Sequence, residues 1–141
     1  MIQSVKIATI LPYKENYTFQ KAQAAAIWVC DFFKYSKFKN NNFIFGNTKG
    51  NDYLTKNYIN ISINNLKSKF SSSTNEYCKN FIKKTKNDNF DIIEIHNRPL
   101  VFNYLKKEID SKYILYFHND PLSMNGSKSI SERLKLLDEL D

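Results

Sequence analysis

Three glycines and three prolines are all that the 141 residues contain, and that scarcity removes several functions at once. The turn after the first apolar run, Tyr13-Lys14-Glu15-Asn16-Tyr17, holds no glycine. The G-x-G-x-x-G fingerprint of dinucleotide binding is therefore absent, and no G-x-x-x-x-G-K-S/T loop exists to cradle phosphates. The G-x-S-x-G elbow and the H-E-x-x-H helix are missing too. Cys30 and Cys78 are too few for a disulfide framework and are not spaced for zinc, so a reducing compartment is expected. No apolar run approaches the ~20 residues that span a bilayer. The opening Met1-Ile2-Gln3-Ser4-Val5-Lys6 lacks the basic, apolar and small segments of a signal peptide. A soluble, cytoplasmic protein is expected, in which the N-x-S/T triplets at Asn16, Asn60 and Asn125 are chance.

What remains is rich in large apolar side chains: eleven Phe and nine Tyr in a chain 42% hydrophobic, more than a disordered protein carries. The length suits one core, and a single domain over residues 1–141 is expected. Charge is uneven. Residues 1–90 carry fourteen Lys against five acids, whereas residues 91–141 carry seven basic and nine acidic side chains. The basic part points either to an anionic contact (a phosphorylated substrate, a membrane surface or nucleic acid) or simply to lysines on solvated faces.

The chain alternates strand and helix. Val5–Leu11 reads as a first strand closed by Pro12, followed by a helix over 18–36 with Ala22, Ala25, Ala26, Val29, Phe32 and Phe33 buried. Residues 43–45 form a short second strand, and Tyr58, Ile59, Ile61 and Ile63 a third. A helix over 74–86 has Ser73 and Glu76 at capping-box spacing, with Tyr77, Cys78, Phe81 and Ile82 inward. Two strands, at 91–96 and 113–117, each read as buried on both faces. Between them lies a helix with Leu100, Val101, Tyr104, Leu105 and Ile109 inward. A last helix, capped by Ser129 and Glu132, has Ile130, Leu134, Leu137 and Leu140 on one face. This pattern predicts an α/β fold: a Rossmann-like open parallel sheet with helices on both faces, the alternation calling for a further strand after residue 141.

The strand ends carry the chemistry. His96-Asn97-Arg98 leave one strand, His118-Asn119-Asp120 its neighbour, and Lys14-Glu15-Asn16 the first. In a doubly wound sheet these turns open on one side and can line a single cleft for hydroxyl and phosphate groups. His118 is either an acid/base or hydrogen-bonding group, His being poised near neutral pH, or a strand-end histidine bonded to a carbonyl. Arg98 either forks onto a phosphate or carboxylate or pairs with Glu94 or Asp120. Gly126 and Ser127, just before a helix start, either present N–H groups to an anion or form a flexible loop.

The two anchors DIIEIHNRP and YILYFHNDPLSMNGSKSISER, with the opening KIATILPYKENYTFQKAQAAAIWVCDF, resemble the amino-terminal domain of GT-B glycosyltransferases of family 4. These are retaining enzymes, and the likeness is to bacterial members that build lipopolysaccharide and other surface polysaccharides. It spans most of the chain, strongly over 91–136, moderately over 5–33 and poorly over 38–88. The resemblance implies a two-domain enzyme that transfers a sugar from a nucleotide-sugar to a saccharide or lipid-linked acceptor without a metal or cofactor. It assigns His118 to the transferred sugar at the reaction centre. Lys14, Glu15, Asn16, His96, Asn97 and Arg98 fall to the acceptor, and Asn119, Asp120, Gly126, Ser127 and Lys128 to sugar or phosphate. The family's glycine pair is replaced by Lys21-Ala22-Gln23-Ala24, which weakens any backbone contact to donor phosphates there. The family's donor-binding domain with its E-x7-E signature lies outside these residues, so the chain is expected to be the first part of a longer enzyme, inactive alone.

Two other classes stay open. A non-catalytic α/β module holding a phosphorylated ligand or nucleic acid fits the lysines, although no RNA-binding signature supports nucleic acid. A flavodoxin-like or response-regulator-like domain is disfavoured by the missing acidic cluster and phosphate loop after the first strand.

Overall fold

A computed structural model describes residues 4–64 and 71–140. Five strands form one parallel sheet in the order β3-β2-β1-β4-β5: β1 Ile7–Ile10, β2 Asn42–Gly46, β3 Tyr58–Asn60, β4 Ile92–His96 and β5 Lys112–Tyr116. Four α-helices accompany them: α1 Ala24–Tyr35, α2 Ser73–Lys84, α3 Pro99–Glu108 and α4 Ile130–Glu139. The expected α/β class and parallel sheet are what the chain forms. Because β1 leads left to β2 while β4 leads right to β5, right-handed crossovers place α1 on one face and α3 on the other.

The alternation of side chains along each strand feeds two cores. Ala8, Ile10, Phe45, Ile93, Ile95 and Tyr113 pack against Tyr77, Phe81, Val101, Phe102, Leu105 and Leu136 of α2, α3 and α4. Phe45 meets Phe81 and Phe90 edge to face at 5.0 and 5.9 Å, pairs that add about 0.5–1.5 kcal/mol each beyond burial. On the other face Leu11, Ile44 and Tyr58 pack on Ala26, Val29 and Cys30 of α1.

Several expected details differ. Helix α1 starts at Ala24 rather than Thr18, because residues 16–22 are used to anchor the loop after β2. Tyr17, fully buried, stacks on Tyr58 at 4.9 Å and takes Thr48 Oγ1 on its backbone N–H, while Thr18 bridges to Tyr53. Phe32 is exposed and Cys30 takes its expected place inside. In α3 the inward side chains include Phe102, and Leu100 is exposed. Ser72, not Ser73, caps α2 by accepting from Asn75 N, and Glu76 is buried, accepting from Asn64 N at 2.7 Å. The Ser129–Glu132 capping box forms as expected. Strand β5 is an edge strand, buried fully only at Tyr113, with Ile114 exposed. In α4 the inward residue is Leu136, with the C-cap Leu140 packed beside it as expected, leaving Ile130, Leu134 and Leu137 at 69%, 62% and 74% exposure. Among the described residues no helix is long and apolar enough to cross a membrane.

Candidate functional site

The chain reverses direction across the sheet between β1 and β4, and open α/β sheets bind ligands outside the carboxyl ends of such a pair. There the structure has a cleft of about 690 Å³. The turn after β1 contributes Tyr13, Lys14 and Glu15, the turn after β4 contributes Asn97 and Arg98, and the segment after β5 contributes Asn119, Asn125 and Lys128. Gln23, Thr74 and Pro99, which border the cleft, lie in the first turns or caps of α1, α2 and α3. Three helices thus direct the positive ends of their dipoles toward one opening, a consequence of every strand pointing the same way.

The turn after β4 is set by Asn97, whose φ of 54° is left-handed, a conformation that asparagine tolerates better than most residues. Its Oδ1 accepts from the backbone N–H groups of His118 and Asn119 at 2.7 and 3.3 Å, and its own N–H donates to Tyr116 O. One side chain therefore locks the ends of β4 and β5 together. Arg98 lies with its guanidinium 5.2 Å from the centroid of the Tyr13 ring. Neither Glu94 nor Asp120 pairs with it: Glu94 bonds to Thr9, and Asp120 Oδ1 accepts from Leu122 N. Glu15, the carboxylate in the lining, accepts from Ala26 N at 3.0 Å and so caps α1.

The remaining expected site residues lie beside or beneath the cleft. Asn16 Oδ1 accepts from Lys49 N. Gly126, with φ of +95°, sits against Pro99 and Leu100, and Ser127 is buried, its hydroxyl donating to Pro121 O. His96 is fully buried, and its Nδ1 is 2.7 Å from His118 Nε2. The two imidazoles stack with each other, His96 also stacks on Tyr116, and both lie under Trp28 at 5.7 and 5.3 Å. The expected carbonyl partner of His118 is thus an imidazole. Burial, and then the charge His118 can carry, push His96 down to about 3. Next to it Thr9 Oγ1 lies 2.9 Å from both Asn42 Oδ1 and Glu94 Oε2. One hydroxyl proton cannot serve two acceptors, and burial raises the Glu94 carboxyl, favouring its protonated form.

Tyr13 and Trp28 escaped the sequence reading. Tyr13 is recognisable only once Arg98 is known to lie on it. The signal for Trp28 was its place four residues before Phe32, on which it stacks at 5.2 Å. Among the described residues no group of three His, Cys, Asp or Glu side chains is placed to hold a metal ion. The cleft as built can hold a hydroxylated or anionic ligand through amides, two lysines and an arginine. Comparison with protein-family models, with curated proteins and with solved structures finds no match.

Proposed function

We propose that the protein is the acceptor-side half of a retaining sugar transferase, and that the cleft between β1 and β4 holds the acceptor. The observation that carries this reading is the convergence of Lys14, Asn97, Arg98, Asn119 and Lys128 on one opening at the switch point of the sheet. Amide and cationic donors fixed on a rigid sheet edge suit a ligand dense in hydroxyl oxygens. In the transfer reaction a nucleotide-sugar supplied by a second domain loses its nucleoside diphosphate on the face from which the acceptor hydroxyl attacks. Fixed positive groups and helix N-termini stabilise the departing charge. With its Nε2 engaged by His96 and its N–H by Asn97, His118 is better suited to positioning Asn97 and Asn119 than to proton transfer. The lysine-rich first part favours an anionic membrane leaflet bearing a lipid-linked acceptor, each nearby lysine adding about 1 kcal/mol.

The test is an NMR titration of residues 1–141 with a saccharide panel and, separately, a random oligonucleotide. Shifts of the Tyr13, Asn97 and Asn119 amides by saccharide support the reading. Shifts by oligonucleotide alone, lost at high salt, move the assignment to the phosphate-binding module.

A further inference from the structure

The sequence has two arginines, and the fold treats them oppositely. Arg133 is satisfied, donating from one guanidinium nitrogen to the carbonyls of Ser127 and Lys128 at 3.0 and 2.6 Å. Arg98 is not. Its Nε is buried without a hydrogen-bond partner, and among the described residues no carboxylate lies within ion-pair distance of it. The acids that could have paired with it are used elsewhere: Glu94 by Thr9, Asp120 by Leu122 N and Glu15 by Ala26 N. A buried charged donor without an acceptor is costly, yet the Tyr13 ring holds this one in place at the cleft wall. Lys14 and Lys128 line the same cleft, and the carboxylate opposing them is the Glu15 cap against the α1 N-terminus.

From this we propose that the ligand of the cleft carries an oxyanion, a carboxylate or phosphate on a sugar, seated on the Arg98 fork with Lys14 and Lys128 beside it. A hydroxyl oxygen can accept one hydrogen bond from Arg98 but cannot neutralise it. A carboxylate or phosphate does both, and meets the planar fork with two parallel bonds. The inference rests on the acceptor-site reading above and narrows it to acidic acceptors.

Calorimetric titration of residues 1–141 at fixed ionic strength tests it with four probes: a hexuronic acid, a hexose monophosphate, the neutral hexose and inorganic phosphate. Tighter binding of either acidic sugar than of the neutral hexose is expected, and the stronger of the two identifies the anion. Arg98→Gln should weaken that sugar roughly tenfold or more and the neutral hexose by much less, since a hydroxyl loses one hydrogen bond there but no charge pairing. Arg98→Lys, which keeps the charge without the fork, should fall between. Inorganic phosphate binding as tightly as the hexose monophosphate supports the anion seat but overturns the sugar-acceptor reading. A neutral hexose matching the acidic sugars overturns the inference and leaves the acceptor reading standing. The inference also falls if no anion binds, or if a folded Arg98→Gln protein binds the acidic sugars undiminished.

Discussion

Acidification should destabilise this protein through a single buried imidazole. The folded state keeps His96 neutral down to about 3, whereas the unfolded chain protonates it near its ordinary value of about 6.5. Between those values the unfolded state binds more protons, so stability is full above the upper one and declines as pH falls toward the lower. At about 1.36 kcal/mol per pH unit, the loss from pH 7 to pH 5 is about 2 kcal/mol. Glu94 works the other way: its raised carboxyl contributes stability that is present at low pH and lost as pH rises, so the net loss is the smaller for it. Urea denaturation followed by far-ultraviolet circular dichroism, repeated between pH 5 and pH 7.5, measures the effect. His96→Phe keeps an aromatic ring between Tyr116 and Trp28 but removes the titration, and should flatten the curve at a cost near 1 kcal/mol for the lost bond to His118. If the wild-type midpoint does not move over this range, or if His96→Phe retains the full decline, the assignment to His96 is wrong.

Gly126→Ala should lower stability by about 1–3 kcal/mol, since a left-handed backbone is strained for alanine and the added Cβ would meet Leu100 Cδ2 at 3.0 Å and Pro99 Cβ at 3.1 Å. A thermal midpoint within one degree of wild type would refute it. Glu15→Ala removes the cap on Ala26 N and should cost about 1 kcal/mol, read as a lower urea midpoint with an unchanged slope. Cys30 and Cys78 are both buried, and burial pushes the Cys78 thiol up to about 12. Neither should react with an aromatic disulfide reagent until denaturant is added, and prompt labelling of the native protein would contradict that packing.

The element order and the parallel sheet were legible because strands buried between helices read as unbroken apolar runs, and the intervening periodicity leaves few alternatives. Which side of each helix faces inward was not. In α4 the sequence suggests a stripe of Ile130, Leu134, Leu137 and Leu140, of which only Leu140 packs on the core, while tertiary packing turns Leu136 inward in place of the other three. The start of α1 is not legible for a similar reason: nothing local says that Tyr17 will stack on Tyr58, forty-one residues away. Topology alone gathers the three turns at one cleft, and of their residues Lys14, Glu15, Asn97, Arg98 and Asn119 line it, whereas Asn16, His96 and His118 do not. The burial of His96 and the engagement of both ring systems under Trp28 depended on α1 crossing that end of the sheet, which no local pattern encodes.

Trp28 is the sole tryptophan of the chain, and it rests 5.3 Å from the His118 ring. The protein therefore contains its own optical reporter: any ligand that shifts the ends of β4 and β5 registers in the indole emission without an added label.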